Sequence, residues 1–251
     1  MKRTIQYHDG QTLSYADSGD PAGFPILIQH GMIASINDQH IFQRLLDAGA
    51  RLISPARPGY GESTPYEMRN IGEWGQIVAV LVDQLGLAQF DVFGISSGAP
   101  YSYAVAHALP ERARRVFILS GIPALYDACV QSCWPYPVDQ HATLPEMQAL
   151  AFDLFFTNLS CEDRGRDDIR DSLMHNCFGI GQDLRIRGLD WGFQLSEVHT
   201  PVIMRHSRTD HFEAAELTAS LLPNCRLEAR ENDEHFSQRV LDDFIGEVMV
   251  G

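Results

Sequence analysis

Short apolar runs alternate with stretches of helical periodicity along most of the chain. Continuous short runs predict strands that are buried on both faces, and they occur at residues 25–29, 51–54, 90–93, 115–119, 201–205 and 226–229. Two further strands, near residues 4–7 and 12–16, flank Asp9-Gly10, a dipeptide typical of a hairpin turn. Strands alternating with helices, such as the one predicted over 71–85, indicate an α/β protein with a doubly wound, mostly parallel sheet.

This alternation stops between residues 122 and 190, where helical periodicity around 147–156 continues without a clear buried strand. We therefore predict a core domain formed by residues 1–121 and 191–251, with a small helical cap insertion at 122–190. The insertion follows a strand at 115–119. Because ligands of parallel sheets bind outside the carboxyl ends of the strands, we expect the insertion to cover the functional site.

The amino-acid composition argues against some classes of binding partner. The chain has 251 residues, of which 45% are hydrophobic and 21% charged, as expected for one globular domain with a full core. A net charge of −14 argues against nucleic acid and anionic membranes. No stretch is apolar enough to span a bilayer, and the N-terminus lacks the apolar region of a signal peptide. We therefore expect a small-molecule substrate; the pattern does not predict the oligomeric state.

The five cysteines are odd in number and suggest no disulfide framework. We therefore predict reduced thiols and a cytoplasmic protein. Cys129 and Cys133 could share a helix face, but their spacing matches no zinc pattern, and buried free thiols are the simpler interpretation. We predict no metal site.

The pentapeptide at 94–98 reads G-I-S-S-G, between the strand predicted at 90–93 and an amphipathic helix predicted over 99–109. A G-x-S-x-G motif at a strand-to-helix turn is typical of a nucleophilic serine, here Ser96. The glycines allow a sharp bend, and the helix N-terminus favours developing negative charge. The alternative interpretation of Ser96 is an ordinary turn residue that caps the next helix.

A nucleophilic serine needs a base and a carboxylate that orients the base. Asp210 ends the loop after the strand at 201–205, and His235 lies in a polar loop before the final helix. Along the chain the three residues follow one another as Ser96, Asp210, His235. This is the order of nucleophile, acid and base in enzymes whose serine lies in a G-x-S-x-G turn between a strand and a helix. Taken alone, His235 could be a solvated loop residue, and Asp210 could cap the helix predicted over 212–222.

An oxyanion hole needs backbone donors beside the nucleophile. We predict that these are the N–H groups of Ser97, directly after Ser96, and of Met32, in the loop that follows the strand at 25–29. Gly31 lets the chain turn there.

On these motifs, together with His30-Gly31 and the glycine-rich loop at 57–63, the chain resembles the α/β-hydrolase fold superfamily, in the lineage of small capped bacterial esterases. The resemblance covers nearly the whole chain outside the insertion. It implies an eight-stranded sheet with helices on both sides, a cap and no cofactor. Where the family usually has glycine before the catalytic histidine, this chain has Glu234. Strain at Glu234, and its negative charge beside His235, are expected to affect the loop geometry and the pH optimum.

These features predict a serine hydrolase that cleaves a small, mostly apolar carboxylic ester through a Ser-His-Asp triad and an acyl-enzyme. Haloalkane dehalogenases and epoxide hydrolases of this fold use an aspartate where Ser96 stands, so we reject both. The alternatives with the same triad are a C–C bond hydrolase and a perhydrolase, and a third alternative is a ligand-binding member without turnover.

The substrate pocket is expected between the serine turn and the insertion. We predict a lining of apolar side chains from both regions: Ile95, Ile122, Trp134, Phe155, Phe156, Phe212 and Phe236.

Overall fold

The computed structural model describes residues 2–8, 10–231 and 235–249. Eight strands form one sheet in the order β1-β2-β4-β3-β5-β6-β7-β8. The strands are β1 (Lys2–His8), β2 (Gln11–Gly19), β3 (Pro25–Gln29), β4 (Arg51–Pro55), β5 (Phe90–Ile95), β6 (Ala113–Leu119), β7 (Val202–Ser207) and β8 (Cys225–Arg230). The predicted α/β class and eight-stranded, mostly parallel sheet are confirmed.

The sheet is antiparallel only at one edge. β1 pairs with β2, and β2 pairs with β4, in antiparallel fashion, whereas every pairing from β4 through β3 to β8 is parallel. The opening hairpin is therefore present as predicted. Of its two predicted turn residues, Gly10 has a positive φ of 76°, and Asp9 lies outside the described residues.

Helices cover both faces of the sheet. They are α1 (Gln43–Asp47), α2 (Gly72–Gln84), α3 (Gly98–Ala108), α4 (Ala128–Ser132), α5 (Leu144–Phe155), α6 (Asp167–Ile186), α7 (Phe212–Ser220) and α8 (Gln238–Phe244). α2 and α3 pack on one face of the sheet, where α2 contributes Trp74 and Val78. α1 and α8 pack on the other face, with Leu45 from α1 and Phe244 from α8. Burial on both faces explains why the central strands read as continuous apolar runs.

α3 differs from its prediction as an amphipathic helix, because Gly98 through Ala106 are all buried. Small residues such as Gly98 and Ala104 let α2 and the sheet approach it closely from different sides. A Cβ on Gly75 of α2, for example, would meet the Ala104 carbonyl at 2.3 Å. The helix that follows Ser96 is therefore fixed in place by the core.

Residues 122–190, here called the helical segment, lie between β6 and β7 and contain α4, α5 and α6 without a strand. α5 and α6 pack against each other, and Phe156 and Ile180 join core residues such as Tyr60 in one apolar cluster. α6 is interrupted at Met174–Cys177, where three consecutive residues take left-handed angles with φ between 53° and 60°.

Candidate active site

Ser96 lies in a sharp turn between β5 and α3 with φ of 50°, a left-handed angle that is uncommon for a residue other than glycine. Hydrogen bonds hold this angle. The Ser96 N–H donates to Leu119 O at 3.0 Å, and Ser96 O accepts from the N–H groups of Ala99 and Ile122, each at 3.0 Å. The surrounding structure thus maintains a backbone strain of the kind often found at functional sites.

Packing requires both glycines of the pentapeptide. A Cβ on Gly94 would lie 2.3 Å from the Ser102 Oγ, and a Cβ on Gly98 would lie 2.1 Å from the Gln29 carbonyl oxygen. Any larger side chain would force β5, β3 and α3 apart. The motif therefore encodes close approach of three elements around Ser96, in addition to the bend.

Ser96, His235 and Asp210 form a continuous hydrogen-bonded chain. The Ser96 Oγ lies 2.9 Å from His235 Nε2, and His235 Nδ1 lies 2.6 Å from Asp210 Oδ2. With a proton on Nδ1, the imidazole donates to Asp210 and accepts from the Ser96 hydroxyl. The structure thus brings together the three residues that the sequence singled out.

The capping roles that the sequence left open for two of these residues are not found. Ser97 is the N-cap of α3 and His211 is the N-cap of α7, and neither helix has a side-chain capping bond. The Asp210 carboxylate is directed to His235 instead, and the Ser96 hydroxyl likewise.

Three histidines surround Asp210. Besides His235, His206 Nε2 lies 2.6 Å from the Asp210 carbonyl oxygen, and His211 Nε2 lies 4.0 Å from Asp210 Oδ1. Burial raises the pKa of Asp210, but the hydrogen bond from His235 and the nearby imidazoles outweigh burial, so this pKa is lowered from its ordinary value. Asp210 is therefore ionised at neutral pH, as an orienting carboxylate must be.

Sequence reasoning did not single out His206 or His211. Burial lowers the pKa of His206, which favours a neutral ring beside Asp210. His211 has a φ of 50° and packs edge-on against Trp134, with ring centroids 5.1 Å apart. Their positions within four residues of Asp210 were the available signal, but a chain with ten histidines gives that signal little weight.

The predicted oxyanion residues lie beside Ser96. Met32 and Ser97 both line the cavity above the serine, and their N–H groups donate no hydrogen bond to another described residue. A Cβ on Gly31 would lie 4.0 Å from the Ser96 Cβ, so the loop after β3 passes directly by the nucleophile position. The location fits an oxyanion hole.

Arg57, from the glycine-rich loop, holds the loop after β3 in place. Its guanidinium is 1% exposed and donates to the carbonyl oxygens of His30 at 2.7 Å and Gly31 at 2.9 Å. It also pairs with Asp183 of α6 at 2.7 Å. Burial alone would lower the pKa of Arg57, but Asp183 and two tyrosines raise it above its ordinary value, so the guanidinium stays charged.

The Asp183 carboxylate connects several buried side chains around Arg57. It accepts hydrogen bonds from Tyr60 at 2.8 Å and from Tyr101 of α3 at 2.5 Å, in addition to the pair with Arg57. Through it, one carboxylate of the helical segment joins the loop after β3 to the helix that follows Ser96. Such a pairing, 126 positions apart in the chain, has no signature in sequence.

A cavity of about 1310 Å³ opens above Ser96, between the core and the helical segment. Five of the seven residues predicted to line it do so: Ile95, Ile122, Trp134, Phe155 and Phe236.

Phe156 and Phe212 lie elsewhere. Successive helical residues point about 100° apart, so Phe155 faces the cavity while Phe156 is fully buried in the apolar cluster below it. The Phe212 ring lies under the Arg208 guanidinium, 4.9 Å from its centroid, and is not among the residues that line the cavity.

The predicted influence of Glu234 on His235 falls outside the described residues. Among the residues that are described, no three His, Cys, Asp or Glu side chains cluster in a metal-binding arrangement, and no helix has the length and apolar character needed to cross a bilayer.

Comparison with known proteins agrees with this architecture. The profile of the alpha/beta hydrolase fold family matches residues 25–239. An uncharacterized hydrolase of Bacillus subtilis, YcgS, is 30% identical over 124 residues, which cover 49% of this chain and 43% of that protein. A non-heme chloroperoxidase of Streptomyces lividans is 30% identical over 125 residues, covering 48% of this chain and 45% of that protein. Each match thus spans less than half of the relative's length.

The fold is shared with solved structures at low sequence identity. A probable hydrolytic enzyme of Pseudomonas aeruginosa PAO1 superposes with a TM-score of 0.72 at 14% identity, covering 100% of this chain and 93% of that one. The strand order, the strained serine turn between β5 and α3 and the family match together show that this chain belongs to the alpha/beta hydrolase fold family.

Proposed function

We propose that this protein is a serine hydrolase that cleaves a mostly apolar carboxylic ester through an acyl-enzyme. The observation that carries the proposal is the hydrogen-bonded chain from Ser96 through His235 to Asp210. A serine whose hydroxyl meets an imidazole, itself oriented by a partly buried carboxylate, is equipped for nucleophilic attack.

The geometry supports the following sequence of steps. The Ser96 Oγ attacks the ester carbonyl while His235 Nε2 takes the hydroxyl proton. The N–H groups of Met32 and Ser97 receive the oxyanion of the tetrahedral intermediate. His235 then returns the proton to the leaving alcohol, and a water activated by the same imidazole hydrolyses the acyl-enzyme. Asp210 keeps the imidazole in the required tautomer and stabilises its cation.

The cavity supports an apolar substrate. Its lining is dominated by aliphatic and aromatic side chains, among them Ile33, Ile41, Leu150 and Phe155. Its volume of about 1310 Å³ exceeds the roughly 300–1,000 Å³ of common ligand pockets, which leaves room for substrates larger than a small aryl ester. We propose that the helical segment is the cap that shapes this space.

Replacement of the nucleophile tests the proposal. Ser96→Ala is expected to lower kcat on a neutral para-nitrophenyl ester by a factor on the order of 10⁶, because the covalent intermediate cannot form. Ser220→Ala, at an exposed serine that ends α7, is the matched control and is expected to retain the wild-type rate. Circular dichroism of both variants verifies folding. Retention of ester hydrolysis by folded Ser96→Ala would overturn the assignment.

Perhydrolysis is a second candidate, favoured by the similarity to a protein named as a non-heme chloroperoxidase. The same Ser96 acyl-enzyme would then be attacked by hydrogen peroxide instead of water, giving a peracid. The ratio of peracid to carboxylic acid formed at increasing peroxide concentration separates the two activities. A C–C bond hydrolase with the same three residues would instead cleave a β-diketone, which the same assay can include as a substrate.

A further inference from the structure

Arg187, just after the end of α6, carries a positive charge at the cavity that has unusual surroundings. It lines the same space as Ser96 and His235, and its Nε is buried without a hydrogen-bond partner. No ion pair or hydrogen bond joins its guanidinium to another described residue. Burial lowers the pKa of Arg187, partly offset by Asp183, but a guanidinium remains charged at any physiological pH.

The nearby carboxylate does not neutralise Arg187. Asp183 is already paired with the buried Arg57 and accepts from Tyr60 and Tyr101. Two guanidiniums therefore share one carboxylate, so Arg187 has no counter-ion of its own. Apart from Asp210, the carboxylates that line the cavity, Asp38, Asp167 and Asp168, lie together around Arg166. His30, which also lines the cavity, adds no charge, because burial and Arg57 hold its pKa well below the ordinary value.

The other guanidinium on the cavity is in a different situation. Arg166 is hydrogen-bonded through two nitrogens to Asp168, and it also lies 3.8 Å from Asp163. Arg187 is therefore the cationic group that the described cavity residues leave without a counter-ion. A partly buried charge without a counter-ion is unfavourable for a folded protein, and an anionic ligand in the cavity would supply the missing partner.

A second donor on the same wall is also unused. The Trp134 indole Nε1 is buried without a hydrogen-bond partner, and Trp134 lines the cavity. The stretch around it packs against the end of α6. The Gln140 side chain donates to the Gly188 carbonyl at 3.2 Å, and a Cβ on Gly188 would contact Val138. Trp134 and Arg187 are thus neighbouring parts of one wall, each with an N–H that has no acceptor.

We propose that Arg187 and Trp134 form a subsite for a carboxylate carried by the substrate. A guanidinium and an indole N–H together match the two oxygens of a carboxylate, and charge-assisted hydrogen bonds of this kind are the strong ones. The preferred substrate is then amphipathic: an apolar body held by the cavity, an ester carbonyl at Ser96 and an anionic group at the helical segment. This inference rests on the proposed function for the position of the reacting carbonyl.

Two esters of equal acyl length test the subsite. Para-nitrophenyl hexanoate and mono-para-nitrophenyl adipate differ only in a terminal carboxylate, and homologous pairs of shorter and longer chain scan the distance. Wild-type protein is expected to prefer the carboxylate member of one pair. Arg187→Gln is expected to lower kcat/KM for that ester about 30-fold and to leave the neutral ester within about 3-fold, as loss of a charge-assisted hydrogen bond requires.

Matched variants separate recognition from structure. Arg187→Lys keeps the positive charge without the paired donors of the guanidinium, and it is expected to recover part of the preference for the carboxylate ester. Trp134→Phe keeps the ring without the N–H, and a smaller loss confined to the carboxylate ester is expected. Arg187→Gln should also melt at the same temperature as wild type or higher, because it removes a partly buried charge that has no counter-ion.

A binding measurement distinguishes failure of this inference from failure of the proposed function. Adipate, added as a free dicarboxylate, is expected to raise the melting temperature of the Ser96→Ala variant, and to raise it far less when Arg187→Gln is added. That result needs no turnover. Equal losses on both esters in Arg187→Gln, no carboxylate preference at any chain length, or an adipate shift independent of Arg187 would each overturn the subsite.

Discussion

The turn that carries Ser96 and the helical segment above it differ in how closely their residues pack. Around the turn, Gly94 and Gly98 have no room for even one added carbon. In the helical segment, Leu154 and Tyr136 are 61% and 56% exposed, and a Cβ on Gly165 would meet nothing within 4 Å. The contrast teaches that packing fixes the reacting groups, whereas the exposed parts of the helical segment have room for larger side chains. The buried glycines of that segment, such as Gly181 and Gly188, do not.

The two regions meet at one buried ion pair. Arg57 belongs to the core and holds the loop after β3, and Asp183 belongs to α6. The two regions are thus coupled at the point where the position of Met32 is set.

Removing the ion pair between Arg57 and Asp183 is expected to have the largest effect on stability. Asp183→Asn leaves the Arg57 guanidinium buried without its counter-ion, which should lower the free energy of unfolding by about 3–5 kcal/mol. Urea denaturation measures this change. Asp153→Asn, at an exposed aspartate on α5 of the same segment, is the control and should stay within about 0.5 kcal/mol of wild type. A loss below about 1 kcal/mol in Asp183→Asn would mean that the two regions are not coupled through this pair.

One methyl group placed in each region tests the packing contrast directly. Gly98→Ala pushes a carbon into the Gln29 carbonyl and should cost about 1–3 kcal/mol, along with much of the activity. Gly165→Ala enters open space and should change stability by no more than about 0.5 kcal/mol. Denaturation and ester turnover are measured on both variants. Equal tolerance of the two substitutions would contradict the contrast.

Acid should weaken the core region through two buried histidines. Burial lowers the pKa of both His30 and His206, so below pH 6.5 the unfolded chain binds protons that the folded chain refuses. Stability is therefore present above pH 6.5 and falls as the pH drops toward the folded values, by up to about 1.4 kcal/mol per pH unit for each histidine.

Urea denaturation at a series of pH values measures this slope. His206→Gln should reduce the slope by about half, because one of the two groups is removed. The lowered pKa of Asp210 acts at lower pH: its contribution is complete above the ordinary aspartate pKa and is lost as the pH falls through the folded value. A free energy of unfolding that stays flat between about pH 7 and pH 5 would contradict the buried, neutral state of these rings.

The sequence predicted those parts of the fold whose signal is local. The strand at 90–93 was legible because both of its faces are apolar, and Ser96, Asp210 and His235 were legible because each follows a strand at its carboxyl end. The amphipathic character assigned to α3 was wrong. Its polar residues Ser102 and Tyr101 find buried partners, so hydropathy alone misjudged its exposure.

The features that sequence could not supply all depend on distant contacts. The pair of Arg57 with Asp183 joins positions 126 residues apart. That the Arg187 guanidinium has no partner among the described residues is visible only once the cavity is assembled. Phe156 was misjudged for a related reason, since helical periodicity predicts which residues share a face but not which face meets the substrate.

Covalent labelling with a fluorophosphonate, read out by intact mass and peptide mapping, tests the central claim most directly. The probe reacts with a serine hydroxyl only when a base activates it and an oxyanion hole receives the charge. The account predicts one phosphonyl group per wild-type chain, attached to Ser96, and none on folded Ser96→Ala. An unlabelled, folded wild-type protein, or a label on any other residue, would contradict the account and favour a member of this fold that binds its ligand without turnover.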